Sequence, residues 1–202
     1  MGLIVSLCDD SEIMLEPWKE AGYETLGVDI KKGRDVRLLE YMGQVDAVFA
    51  FPPCTVFANS GARHLWYQSP HRTREHILEG ISIMDACARF ILVHKPAVWF
   101  LENPVGKMRR YLEPLLRMTF NPCDYAGYSS SEDAYTKRTM LYGEFEIPAK
   151  LPMEPIHGSK MHLKYGGRSE RTKAARSLTP RGFARAFFLA NAARVRAARS
   201  AA

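Results

Sequence analysis

The stretch Asp46-Ala47-Val48-Phe49-Ala50-Phe51-Pro52-Pro53-Cys54 decides the architecture. It is an apolar run stopped by two prolines, the pattern of a strand buried in a parallel sheet whose pairing cannot continue. Cys54 therefore falls just beyond a strand's carboxyl end, where open α/β sheets hold their ligands. A second run, Ala97-Val98-Trp99-Phe100-Leu101, ends in Glu102-Asn103-Pro104. A thiol and a carboxylate, each at a strand end marked by proline, are expected to face one crevice.

The neighbouring segments extend this reading. Leu3 to Leu7 is a strand, Asp9-Asp10-Ser11 a polar turn, and Ile13, Leu15 and Trp18 mark a short amphipathic helix that stops near Gly22. Thr25 to Ile30 is a second strand carrying Asp29 at its end, and Val45 to Phe51 is the next. From Glu75 to His94, Ile77, Ile81, Met84, Ala88 and Ile91 recur at helical spacing and form a face for the sheet. Strands alternating with helices predict a doubly wound, mostly parallel α/β sheet. Beyond Val105, Tyr125 to Asp133 reads as a loop and Tyr135 to Tyr142 as a strand preceded by basic residues. Residues 147–176 read as a Pro/Gly-rich, extended and partly mobile connection. Pro180 suits the first turn of a final helix. Phe183, Phe187 and Phe188 give that helix an apolar face, and Arg181, Arg185, Arg194, Arg196 and Arg199 give it a basic, solvated one.

At 202 residues and 47% hydrophobic content the chain can bury a core as one domain. A net charge of +6 fits either an ordinary basic protein or one with a polyanionic partner. No apolar run approaches membrane-spanning length and the start lacks the features of a signal peptide, so a cytoplasmic chain with free thiols is expected. The four cysteines, Cys8, Cys54, Cys87 and Cys123, show no Cys-x-x-Cys or zinc-like spacing, and the histidines add none, so no metal site is expected. Cys87 belongs to an apolar helical stripe and reads as a small core residue. No Gly-x-Ser-x-Gly elbow suggests a serine hydrolase.

Carbon 5 of a pyrimidine is a poor nucleophile until something adds to carbon 6. A thiolate adds well. The charge that builds on N3 and O2 is relieved by a carboxylic acid at N3 and a cation at O2. Cys54, Glu102 and Arg138 supply these three groups, although a merely buried thiol at Cys54 is the plainer alternative.

In order along the chain, Phe51-Pro52-Pro53-Cys54, Leu101-Glu102-Asn103-Pro104 and Lys137-Arg138-Thr139 resemble three motifs of the cytosine carbon-5 DNA methyltransferases. Ser6-Leu7-Cys8-Asp9, Pro52-Pro53-Cys54-Thr55, Glu102-Asn103-Pro104-Val105-Gly106, Tyr135-Thr136-Lys137-Arg138-Thr139 and Ser177-Leu178-Thr179-Pro180 are similar to landmarks of a small, phage-like branch of that family. The resemblance implies a Rossmann-like fold of the S-adenosylmethionine-dependent type. It implies Cys54 as nucleophile, Glu102 as the residue engaging N3 and the amino group of cytosine, and Arg138 as the base-contacting arginine. It implies S-adenosyl-L-methionine held by Ser6, Leu7, Cys8, Asp9, Asp10, Asp29, Asp35 and Pro52. Asp29 would take the ribose hydroxyls. Asn103, Pro104 and Lys137 are then candidate substrate contacts. The substrate is DNA or, alternatively, a free cytidine nucleotide, and a catalytically silent nucleic-acid-binding module is a further alternative.

Three departures accompany the resemblance. The family's first turn is glycine-rich, whereas Cys8-Asp9-Asp10-Ser11-Glu12 contains none. Its carboxylates could hold the donor's amino group, weaken donor binding, or simply cap a helix. The interval before Arg176 is too short and proline-broken for a major-groove reading domain. The second arginine of the family's basic motif falls at Met140. Strand contacts are then expected from residues 59–74, where Arg63, His64, Trp66, Tyr67, His71, Arg72 and Arg74 interleave charge with aromatic rings. An ordinary surface loop is the alternative. Gly158-Ser159-Lys160-Met161-His162 is a weaker candidate phosphate contact.

Overall fold

The computed structural model describes residues 2–58, 74–159 and 177–201. Its frame is a six-stranded sheet made of β1 (Leu3–Leu7), β2 (Glu24–Val28), β3 (Ala47–Ala50), β4 (Val98–Pro104), β5 (Leu116–Phe120) and β6 (Thr139–Glu144), in the order β2-β1-β3-β4-β6-β5. The first four strands run parallel, and β6 inserts antiparallel between β4 and β5. Among the described residues the α-helices are α1 (Glu16–Glu20), α2 (Arg74–His94), α3 (Arg109–Leu112) and α4 (Arg181–Ser200). This is the doubly wound α/β architecture that the strand–helix alternation predicts.

Two-residue alternation divides the strands between the faces. Ile4, Phe49, Val98 and Phe100 point to one side and pack with Trp18 of α1 and Phe183 and Phe187 of α4. Val5, Leu7, Val48, Ala50 and Leu101 point to the other and pack with Ala86, Cys87, Phe90 and Ile91 of α2. The parallel strands are covered on both faces, which is why they read as unbroken apolar runs. After β1 the chain builds β2 on one side, then returns to place β3 on the other. The mouth between the carboxyl ends of β1 and β3 is thus a topological switch point.

Two expectations change. The β6 strand begins at Thr139 rather than Tyr135, because Tyr135 and Thr136 bond elsewhere: Cys123 N donates to Tyr135 O at 3.0 Å and Thr136 N to Gly158 O at 2.8 Å. The described part of the connection, residues 147–159, is extended but strapped down. Leu151 N donates to Asp124 O, Gly127 N to Leu151 O, Met153 N to Cys123 O and His157 N to Ala134 O, all within 3.1 Å. Among the described residues no helix is long and apolar enough to cross a membrane.

The basic face of α4 is largely exposed, as expected, and three of its arginines also form ion pairs. Arg199 Nη1 donates to the buried Asp46 Oδ2 at 2.7 Å, Arg194 pairs with Glu144 at 2.5 Å, and Arg181 pairs with Glu16 of α1. Three of its five arginines therefore hold the helix to the sheet and to α1.

Candidate active site

The prolines end β3, and the chain turns at Cys54, whose carbonyl accepts from Phe57 N at 3.0 Å and Ala58 N at 2.7 Å. Beneath this turn Val56 and Phe57 are buried against Met108, Met140 and Tyr142. The two apolar residues anchor the turn, and Cys54 itself is left exposed.

The end of β4 grips this turn from the side. Asn103, fully buried, donates from Nδ2 to Pro52 O at 3.1 Å. Lys107 N donates to Phe57 O at 2.6 Å, and Ala58 bridges Gly106. A Cβ on Gly106 would lie 1.9 Å from Phe57 O, so only glycine permits the approach. On the opposite side Pro104 pairs with Thr139, and Val105 N donates to Arg138 O at 3.4 Å. The segments around Cys54, Glu102 and Arg138 are distant in sequence and hydrogen-bonded in one cluster.

Glu102 points to the α4 side of the sheet. It lines a narrow, partly open crevice together with Phe51, Phe120, Lys137, Thr139, Ser177, Leu178, Thr179, Pro180 and Phe183. Burial among these rings raises the Glu102 pKa, and the nearby Lys137 charge opposes the shift. A carboxyl in such a place is suited to holding a proton at higher pH than an exposed glutamate. Cys54 is not among the residues lining this crevice, and Arg138 is exposed beside it. Lys137, rather than Arg138, is the cation facing Glu102. Pro104 stays partly buried at the strand's end.

The first turn is internally satisfied. The Asp9 carboxylate accepts from Ser6 Oγ at 2.7 Å, Ser11 Oγ at 2.8 Å and Glu12 N at 2.9 Å. Asp9 is thus a turn-capping group, while Leu7 is core. Asp10 pairs with Lys31 at 2.8 Å and Glu12 with Lys32 at 2.5 Å. Cys8 and Glu12 hold φ of 57° and 55°, the left-handed conformations that glycine ordinarily supplies. The turn therefore takes a glycine-like path without glycine.

Asp29 follows β2 and accepts from Lys31 N at 2.9 Å through Oδ1. Asp35 is committed to Arg37, whose guanidinium donates at 2.6 Å to Oδ2, and this pairing lowers the Asp35 pKa. Arg63 and Trp66 lie outside the described residues, as does the segment from Lys160.

Ser177–Pro180, which the sequence marks only as a landmark of the resemblance and, at Pro180, a helix start, close the crevice over Glu102. The start of α4 is held there by Asp133, whose Oδ2 accepts from Gly182 N at 2.8 Å and Ser129 Oγ at 2.7 Å.

No family model matches the chain. No curated protein matches it. One solved structure similar to it is provisionally described as a DNA modification methyltransferase encoded within a prophage (E. coli). It is 12% identical with a TM-score of 0.45, over 70% of this chain and 46% of that one. The chain spans less than half the length of that protein. A likeness this distant assigns no activity.

Proposed function

We propose that residues 1–202 form one S-adenosylmethionine-dependent methyltransferase unit acting on carbon 5 of cytosine, in DNA. The observation that carries this reading is the hydrogen-bonded cluster joining the Cys54 turn, the Glu102 strand end and the Lys137–Thr139 segment, with a half-buried carboxyl at its base.

In this reading the Cys54 sulfur adds to carbon 6 of the ring. Glu102, whose affinity for a proton is raised by its apolar surroundings, donates to N3 as charge accumulates there. Arg138, with Lys137 beside it, stabilises the developing charge at O2. Carbon 5 takes the methyl group, loses its proton, and Cys54 leaves. S-adenosyl-L-methionine supplies the activated methyl when bound. The residues fit that donor unevenly. Asp29 stands where an acid can accept from ribose hydroxyls, and Pro52 and Ser6 through Asp10 edge the switch point. The carboxylates of Asp9, Asp10 and Asp35, however, are already engaged within the chain. The donor would therefore rest chiefly on Asp29 and on backbone and apolar contacts.

A cytidine nucleotide is the second reading. It is favoured by the ion pairs that occupy Arg181, Arg194 and Arg199, since these leave α4 with few charges for a phosphate backbone. Labelled donor offered with mononucleotides, single strands and duplex separates the two. Label in polymer, lost in Cys54→Ala while the fold is kept, is the expected result. Label in mononucleotide alone would replace DNA as substrate, and unchanged transfer by Cys54→Ala would remove the covalent mechanism. Calorimetry showing no donor binding at millimolar concentration would favour a silent binding module.

A further inference from the structure

Cys8 and Cys87 come together although 79 positions separate them, with their sulfurs 3.9 Å apart. Cys8 ends the β1 segment and keeps partial access to solvent. Cys87 is fully buried in α2. The surroundings differentiate the two thiols. The Arg37 guanidinium is held charged chiefly by Asp35, and Glu79 and Cys8 also act on it, which places that cation within electrostatic reach of the Cys8 sulfur. Cys8 is also the sulfur that an oxidant arriving from solvent can reach. The hydrogen bond to Cys8, followed by burial, pushes the Cys87 thiol well up, so it remains protonated. The accessible sulfur is thus the nucleophile and the enclosed one is its waiting partner.

We propose that Cys8 and Cys87 form an oxidisable pair, in which a hydroperoxide is reduced at Cys8 and Cys87 closes an intramolecular disulfide. In the first step the Cys8 thiolate attacks the terminal peroxide oxygen. The oxygen–oxygen bond breaks, Cys8 becomes a sulfenic acid, and the departing oxygen takes a proton to leave as water or an alcohol. In the second step the Cys87 sulfur attacks the sulfenic sulfur, and the expelled hydroxide takes the Cys87 proton and leaves as water. Two thiols are oxidised and one peroxide is reduced. The closed bridge fastens the first turn to α2, coupling the redox state of the pair to the mouth between β1 and β3. The pair rests on its own geometry and stands whichever substrate the chain takes.

The test uses the full chain carrying Cys54→Ser, which removes the exposed competing thiol and leaves three of the four cysteines. The protein is treated briefly with hydrogen peroxide, denatured and alkylated. The expected result is the loss of two alkylated positions, a mass lower by two hydrogens, a Cys8–Cys87 cross-linked peptide, and recovery of all three labels after reduction. Full labelling after peroxide, disulfides only between chains, or Cys8 sulfinic acid beside an alkylatable Cys87 would overturn the proposal. Adding Cys87→Ala should leave a Cys8 sulfenic acid that a cyclic dione traps. Adding Cys8→Ser instead should leave Cys87 fully labelled, and loss of the Cys87 label there would overturn the assigned order.

Discussion

At the scale of single residues, Glu102 governs the pH behaviour of the site. Phe51, Phe120 and Phe183 surround a group whose charged form prefers water, so folding raises its affinity for a proton. A carboxyl raised in this way contributes stability that is complete below its ordinary value of 4.5 and is lost as pH rises through the elevated native value. Glu102→Gln has nearly the same shape and cannot ionise. Relative to the parent, the variant is expected to melt a few degrees higher at about pH 7, with the gap shrinking towards about pH 4. Transfer activity should be lost at both. Melting curves across that range check the assignment, and a gap that does not change with pH would show that Glu102 ionises freely.

At the scale of elements, the two strand ends are positioned by backbone approach. Gly106→Ala would drive a methyl group into Phe57 O and push the Cys54 turn from its seat. The expected cost is on the order of 2 kcal/mol or more of stability, together with loss of transfer even at temperatures where the variant stays folded. Normal activity in a folded Gly106→Ala protein would mean that the turn's seat is not needed for catalysis. The start of α4 makes a second case. Pro180 offers no side-chain cap, and the capping carboxylate comes from Asp133, 49 positions before the Gly182 amide that it accepts from. Asp133→Ala leaves the Gly182 amide without its partner, and should cost about 1–3 kcal/mol in a denaturant titration. A midpoint unchanged in that titration would show that the cap is dispensable.

These elements also mark how far the sequence could be read. β1 and the body of α2 carry strong periodic signals and lie where the residues predict. β3 and β4 were legible because proline ends one and follows the charged tip of the other. β5 was not, since Leu116–Phe120 is a bulged edge strand paired only to β6 and its pattern is mixed. Ser177–Pro180 was legible as a landmark of the resemblance, but its place over Glu102 was hidden for a related reason. The contacts that place that segment over Glu102 come from Asp133 and Phe120, and nothing local announces them. Cys54, Glu102 and Lys137–Arg138 were legible as separate motifs. That Lys137 is the cation facing Glu102 depends on which way each side chain leaves β4 and the segment before β6.

At the scale of the whole molecule, the question is how much of its +6 charge is available to a polyanion. Arg199 neutralises Asp46 inside the fold, Arg194 spans Glu144 and Glu146, and Arg181 reaches Glu16. Cations engaged in this way release few counterions when a phosphate backbone binds, so α4 would add little to a nucleic-acid complex. With two or three phosphates engaged, KM for a cytosine-containing single strand should rise by on the order of tenfold between about 50 and 200 mM salt. For a nucleoside monophosphate the rise should be no more than about threefold, since one phosphate is engaged. Steady-state kinetics on both substrates across that range measures the difference. A loss of several orders of magnitude with the strand would demand an extensive cationic track, more than the charges left on α4 can provide. Equal, shallow slopes for strand and nucleotide would mean that only the target nucleotide is held, which would move the assignment from the polymer to the monomer.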